Sequence, residues 1–169
     1  TNYTACMTPF QALQAAKAGA TYVSLFANRM LDSHILDLAG FSLKEKLKDP
    51  NWKQTLKENQ RFKDEAWNFT LAQISYVAKE LEQTDSSLIV GSIRTPEDIH
   101  KIAKAEPQII TIPTKIVKGL ENIEEIKKTK RDFYFRTLNL GSSIQHPMTQ
   151  YTLEEFEKAA DSYRKIQNE

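Results

Sequence analysis

The sequence has one cysteine, Cys6, and no apolar run near the roughly 18 residues that a membrane span needs. A lone cysteine excludes an internal disulfide and a zinc cluster of paired thiolates, and it favours a reducing compartment, so we expect a cytoplasmic protein. The 23 basic and 22 acidic residues nearly cancel, so the overall charge predicts neither nucleic-acid nor membrane binding. His34, His100 and His146 lack metal-like spacing, so no metal site is expected.

The remaining composition, 40% hydrophobic and 27% charged, is ordinary for a globular protein, and 169 residues can bury one real core. We expect residues 1–169 to form a single domain with a helical insertion near residues 30–60, where the pattern is Lys-rich and weakly periodic. The chain starts with Thr and opens almost directly into a strand. We therefore expect it to be the remainder of a longer protein.

Apolar periodicity predicts strands that alternate with helices. Thr8-Pro9 and Thr95-Pro96 each predict a capped helix start, and Thr152 with Glu155 predicts a third. We expect a loop at residues 27–29, directly after the second strand. The predicted strands are residues 2–7, 22–26, 88–93 and 109–112, and the predicted helices are residues 9–18, 61–83, 96–105, a short one ending near 119, and one from 152.

Four strands alternating with helices predict a parallel sheet, and the continuous apolar strands predict that both of its faces are covered. A (β/α)₈ barrel needs eight strands, so four strands would form half a barrel with two unpaired edges. Unpaired edges can recruit another chain. A binding or scaffold protein that dimerises through them is therefore an alternative to an enzyme.

Polar side chains follow two neighbouring predicted strands where each strand ends. Ser24 and Arg29 belong to the second strand, and Ser92 and Arg94 to the third. The carboxyl ends of parallel strands meet at one rim, where ligands bind in such folds. Two guanidinium groups and two hydroxyls suit a phosphate, because arginine offers fixed donors at full charge. The alternative is a pair of solvated arginines.

Asn2 and Thr4 occupy alternate positions of the first strand, so their side chains share one face of the sheet. Polar groups on that face need partners, which could be each other, water or a substrate. A Thr satisfied by backbone is the equal alternative. We expect Cys6 to be a small core residue and the three histidines to have surface or capping roles.

Three motifs of the chain resemble the transaldolase and fructose-6-phosphate aldolase family. The most specific is N-Y-T-x-x-x-x-x-x-Q-A-L-x-A-A-K-A-G-A-T-Y-V-S-x-F-x-x-R at residues 2–29. V-G-S-I-R followed by I-I-T-I-P resembles later strands of the family, and HPMTQYTLEEFEKA resembles its C-terminal segment. The matches occur in the family's order and cover most of the chain outside residues 31–67 and 121–145.

The resemblance implies the C-terminal half, about the last four βα units, of a TIM (β/α)₈ barrel. It also implies a transferase of the pentose phosphate pathway, and hence of carbohydrate metabolism, that moves a dihydroxyacetone unit between sugar phosphates through a lysine Schiff base. In the family that lysine precedes the strand at Asn2, and the acid/base carboxylates lie earlier still. Lys17, Lys115 and Lys118 do not match its position. The missing N-terminal half of the barrel is thus the expected partner.

The resemblance also implies roles for individual residues. Asn2 would bind the dihydroxyacetone unit, Thr4 would position a proton-shuttling water, Ser24 and Phe26 would shape the pocket, and Arg29, Ser92 and Arg94 would hold the substrate phosphate. No cofactor is implied. The alternatives are fructose-6-phosphate aldolase activity and a non-catalytic truncated or diverged barrel, and a homo-oligomer stays open.

Overall fold

The structure is a computed structural model that describes residues 1–117 and 143–167, with side-chain surroundings described up to residue 161. Its strands are β1 (Asn2–Cys6), β2 (Tyr22–Phe26), β3 (Ser87–Gly91) and β4 (Ile109–Ile110). Its α-helices are α1 (Pro9–Lys17), α2 (Ala27–Leu38), α3 (Leu43–Lys46), α4 (Trp52–Glu58), α5 (Lys63–Leu81), α6 (Pro96–Ala103), α7 (Thr114–Val117) and α8 (Pro147–Gln167). A 3₁₀ turn, Gln60–Phe62, leads into α5.

The four strands form one parallel sheet in the order β1-β2-β3-β4. Helices connect β1 to β2, β2 to β3 and β3 to β4. Such crossovers bring all strands into one direction, so their carboxyl ends lie at one edge. The parallel sheet and the carboxyl-end placement of Arg29 and Arg94 agree with the prediction from the sequence.

Helices cover one face of this sheet. Val23, Leu25, Leu88 and Val90 point to that face and are fully buried. They lie under α1, α2 and α5, and α5 packs against both α1 and α2. Burial of four such side chains contributes about 1.5–3 kcal/mol each. This layer is the hydrophobic core of the described chain.

The opposite face of the sheet, called the open face below, is only partly covered in the described part of the chain, where Ser24 is buried and Phe26 packs against Phe156. Tyr22 and Ile109 point to this face and are 39% and 37% exposed. The expectation that both faces are covered is therefore not met by the described residues. An apolar strand pattern predicts that a face of the sheet is buried, but it does not indicate which segment covers that face.

The predicted loop after the second strand is wrong. The helix α2 begins at Ala27, directly after β2, and Asn28 and Met30 are buried within it. Asn28 suggested a loop because a short polar side chain normally competes with helical hydrogen bonds. Here its amide reaches across to another loop, described below. Residues 30–60 thus contain most of α2 together with α3 and α4, and their status as an insertion stays a prediction.

Two of the three predicted helix caps are confirmed. The Thr8 hydroxyl accepts a hydrogen bond from the Gln11 N–H at 3.2 Å, and Thr95 forms a reciprocal capping box with Asp98. The third is wrong, because α8 begins at Pro147 and Thr152 lies inside it, 1% exposed. A Thr-x-x-Glu pattern also occurs within helices, and the proline is the stronger start signal here.

The spacing of the apolar residues within 61–83 predicts that Trp67 lies off their common face, yet Trp67 is 3% exposed. The helix α6 also packs on α5, and the Lys101 ammonium lies 5.4 Å from the Trp67 ring centre. Cys6 is the expected core residue, and burial raises the pKa of its thiol to about 12. None of the described helices has the length and apolar character that a membrane crossing requires. The sequence predicts no more than a connection for residues 121–150, and most of these lie outside the described residues.

Candidate anion-binding site

A cavity of about 530 Å³ lies beyond the carboxyl ends of β2 and β3. Arg29, Ser92 and Arg94, the three residues expected to hold a phosphate, all line it. The segment from α4 to the start of α5 closes another side and adds cations to the lining. The remaining charged residues of the lining are Lys53, Lys57, Lys63, Asp32 and Asp98.

Arg94 is held by a buried carboxylate. Its Nη1 and Nη2 donate to Oδ1 and Oδ2 of Asp32 at 2.8 and 2.5 Å. The Asp32 side chain is 4% exposed, whereas that of Arg94 is 47% exposed. Burial lowers the pKa of Arg94, but the hydrogen bonds and charge of Asp32 outweigh it, and the net pKa is raised. The pair fixes the guanidinium while about half of the Arg94 side chain stays exposed.

Arg29 is held in a different way. Its guanidinium carbon lies 5.4 Å from the centre of the Tyr151 ring, and Tyr151 meets Trp52 edge-on at 5.4 Å and 84°. Among the described residues, no carboxylate forms a salt bridge with Arg29. Since Arg29 lines the cavity, its positive charge adds to that of the cavity without a paired carboxylate.

The loop between β3 and α6 is held in place by hydrogen bonds with Asn28 and Asp98. Ser92 has a φ of 64°, which a non-glycine residue adopts only where its surroundings hold it. Asn28 Nδ2 donates to the Ser92 carbonyl and to Asp98 Oδ2, both at 2.8 Å. The same Asp98 oxygen accepts the N–H groups of Arg94 and Thr95 at 2.9 and 3.0 Å. The carboxylate of Asp98 thus positions the loop that carries two candidate ligand groups.

The charge of this cavity favours an anion. Both of its carboxylates are occupied, Asp32 by Arg94 and Asp98 by two backbone N–H groups and Asn28. Hydrogen bonds do not cancel the charge of Asp98, but the five cations of the lining still outnumber its two carboxylates by three. Convergent cations in a concave site attract a phosphate, and the Ser92 hydroxyl adds a neutral donor.

The other predicted site residues lie on the open face of the sheet. The Ser24 hydroxyl donates to Asn2 Oδ1 at 2.9 Å, which leaves the Asn2 amide nitrogen to donate elsewhere. Thr4 is exposed just before a bulge at Ala5, whose φ is 60°. Phe26 packs against the Phe156 ring at 5.9 Å.

The expected grouping of Ser24 with the two arginines is not seen. Ser24 does not line their cavity, since it lies within β2 and points to the face of the sheet, whereas Ser92 follows the end of β3. The structure therefore separates the candidates into a cation-lined cavity and a polar set on the open face.

A buried glutamine ties α8 to the end of β1. Gln11, 2% exposed, accepts the Met7 N–H at 2.7 Å and donates to the Ile144 carbonyl at 2.6 Å and the Thr149 hydroxyl at 3.1 Å. Thr149 in turn donates to the carbonyl of Ala5 at 2.9 Å. These bonds hold the first turn of α8, and with it Tyr151, near the cavity.

His146 caps this helix, as its Nδ1 accepts the Met148 N–H at 3.2 Å. This confirms the capping role expected for one of the histidines. His34 instead lies partly buried beside Gln73 and Phe69. Burial, with a smaller contribution from the charge of His34, lowers the pKa of His146 to about 4, and burial also lowers the pKa of His34.

Acid should therefore loosen the start of α8. A histidine whose folded pKa lies below 6.5 stabilises the fold above that pH, and the stability falls as the pH drops from 6.5 towards 4. We expect a loss of about 1–3 kcal/mol for His146. Urea unfolding at several pH values between 7 and 4.5 measures this loss of stability. His146→Asn, which caps without titrating, should show a shallower pH dependence, and equal slopes would refute the assignment. Burial raises the pKa of Asp37, which lines the same cavity as both histidines, so Asp37 contributes to the pH dependence with the opposite sign.

Sequence reasoning missed the residues that support the site. Asp98 had a signal, because it lies three residues after the cap Thr95. No local pattern indicates Asp32 or Tyr151. Asp32 pairs with Arg94, 62 residues further on, and Tyr151 contacts Arg29 on a different segment of the chain.

A parallel sheet with a cation-lined cavity at its carboxyl edge is typical of α/β-barrel proteins that bind anions. A family model described as Transaldolase/Fructose-6-phosphate aldolase matches residues 1–169. The chain belongs to this family, whose fold is the TIM barrel, and it supplies four strands of such a barrel.

Curated relatives support the same assignment. A "Probable transaldolase" of Thermodesulfovibrio yellowstonii is 31% identical over 165 residues, which cover 98% of this chain and 52% of that protein. A "Probable transaldolase 2" of Bacillus cereus is 30% identical over 120 residues, 71% of this chain and 40% of that protein. The chain therefore spans about half the length of the curated relatives it matches.

Proposed function

We propose that this chain supplies the phosphate-binding part of a transaldolase-type enzyme that acts on sugar phosphates. The observation that carries the proposal is the meeting of Arg29, Ser92 and Arg94 in one cavity at the carboxyl edge of a parallel sheet. A phosphate dianion there would receive charge-assisted hydrogen bonds from two guanidinium groups. Arg29 is the stronger anchor, because Asp32 already neutralises part of the charge of Arg94.

The proposed reaction transfers a dihydroxyacetone unit between sugar phosphates, as a cytoplasmic step of the pentose phosphate pathway. A lysine amine condenses with the ketose carbonyl, and the resulting iminium accepts electrons as the carbon–carbon bond breaks. That lysine is proposed to lie upstream, since Lys17 and Lys115 are on helices in the described chain. Asn2, oriented by Ser24, would bind the dihydroxyacetone unit, and Thr4 would position a water.

The proposed partner of the open sheet face is the remaining half of the barrel. Tyr22, Ile109 and the unpaired edges of β1 and β4 would then be covered by further strands. A second copy of the chain is the competing occupant. The mass of the polypeptide under denaturing conditions distinguishes the two: a single chain of about twice this length fits the first, and a chain of this length whose mass doubles under native conditions fits the second.

Replacing Arg29 with Ala in the intact protein is expected to raise the KM for a sugar phosphate about 10- to 100-fold with a smaller change in kcat, because charge-assisted hydrogen bonds to the phosphate are lost. Steady-state kinetics measures both. Arg61→Ala is the matched control, because Arg61 is exposed, packs on Phe62 and lies outside the cavity.

A second measurement tests the covalent step independently. Borohydride reduction in the presence of a ketose phosphate should add the mass of the bound sugar fragment to the intact protein. An unchanged KM in Arg29→Ala would remove the phosphate site from the proposal. The absence of any reduced adduct would remove the Schiff base.

A further inference from the structure

We infer that Tyr151 is a positioning residue whose ring holds the guanidinium of Arg29 so that its N–H groups point into the cavity. This inference rests on the proposed phosphate site. It adds Tyr151, a residue of α8 that is remote in sequence, to the proposed phosphate site at the carboxyl ends of the strands. It also gives a role to the aromatic pair formed by Tyr151 and Trp52.

Three side chains, those of Arg29, Tyr151 and Trp52, form a row of contacts. The Arg29 guanidinium carbon lies 5.4 Å from the Tyr151 ring centre, within the range of a cation–π contact. The Tyr151 ring also meets Trp52 edge-on, and Trp52 is 3% exposed. Because Trp52 is buried, this contact limits the movement of the ring that Arg29 contacts.

A comparison of the two arginines of the cavity shows how an aromatic partner differs from a carboxylate partner. The carboxylate of Asp32 fixes Arg94 but uses two of its donors and compensates its charge. An aromatic face fixes the plane of a guanidinium without taking any in-plane N–H donor. Arg29 therefore combines a fixed position with a full charge, which a phosphate requires of its main anchor.

The position of Tyr151 is itself determined. It lies in the first turns of α8, two residues after Thr149, and Thr149 and Gln11 bind this turn to the end of β1. In addition, α8 contacts α2, which carries Arg29. The ring is thus a fixed support rather than a surface side chain that happens to lie near a cation.

The test compares Tyr151→Leu with Tyr151→Phe in the intact protein, with inorganic phosphate as the probe in isothermal titration calorimetry. Leu removes the π face and Phe keeps it. We expect the Leu variant to bind phosphate about five- to tenfold more weakly, and the Phe variant to bind within about twofold of the parent. If the Leu variant does not fold, Tyr151→Met offers a similar volume without a π face.

A double variant separates positioning from a general loss of stability. In the Arg29→Ala background, Tyr151→Leu should have no further effect on the dissociation constant for phosphate, because the group it positions is absent. An equal loss in both backgrounds, or unaltered phosphate binding in Tyr151→Leu alone, would overturn the inference. If Arg29→Ala itself leaves phosphate binding unchanged, the proposed phosphate site fails instead.

Discussion

Replacing Arg94 with Ala is expected to destabilise the fold by about 3–5 kcal/mol, as well as to weaken sugar-phosphate binding. The reason is Asp32, whose carboxyl is 4% exposed and has Arg94 as its bidentate partner. Without the guanidinium, a buried carboxylate is left without its counter-charge. Urea unfolding at pH 7 measures the loss, as a lower midpoint at an unchanged m-value.

A low activity in Arg94→Ala would therefore have two causes, and a second variant separates them. Asp32→Asn combined with Arg94→Ala removes the buried charge together with its partner. We expect this double variant to regain most of the lost stability but not the affinity for sugar phosphate. An unfolding midpoint of Arg94→Ala equal to that of the parent would show that Asp32 does not need its partner.

Local signals in the sequence predicted the strands and two of the helix starts. Thr8-Pro9 and Thr95-Pro96 place a capping hydroxyl and a fixed φ at adjacent positions, and these depend on no distant residue. The strands were predicted from short apolar runs, although β3 and β4 are shorter than expected. The juxtaposition of Arg29 and Arg94 followed from topology, because parallel strands end at one edge.

The features of the fold and of the candidate site that were not predicted depend on contacts between distant segments of the chain. Asn28 looks like a loop former in the sequence, but it lies inside a helix because its amide reaches a loop 64 residues further on. Asp32 and Tyr151 support the two arginines by different means, and no spacing along the chain reveals either pairing. The open face could not be predicted, since an apolar strand does not say which segment covers it.

The supporting residues explain how a loop with a strained backbone is kept in place. Ser92 has a positive φ, which costs about 1–3 kcal/mol unless its surroundings repay it. Asp98 and Asn28 provide that support, because together they bind the carbonyl of Ser92 and the N–H groups of the two residues that follow Ile93. The geometry of the candidate phosphate site thus depends on the buried amide of Asn28.

Asn28→Asp is accordingly expected to be more harmful than Asn28→Ala at pH 7, although Asp is closer to Asn in shape. Ala removes two hydrogen bonds, at a cost of about 1–3 kcal/mol. Asp places a second carboxylate where Asn28 Nδ2 lay, 2.8 Å from Asp98 Oδ2. Two carboxylates at this distance cannot both ionise, so we expect a loss of about 3–5 kcal/mol and a raised pKa for one of them.

The sign of the pH dependence then distinguishes this mechanism from simple misfit. A carboxyl whose folded pKa is raised destabilises the fold above that pKa, and the loss is recovered as the pH falls through it. Protonation of one of the two carboxylates also restores a hydrogen-bond donor between the side chain at position 28 and Asp98. Urea unfolding at pH 7 and pH 5.5, each relative to the parent, should show recovery for Asp and none for Ala. Equal losses for both variants at both pH values would mean that the amide contributes only packing, and that another group holds the loop of Ser92 and Arg94.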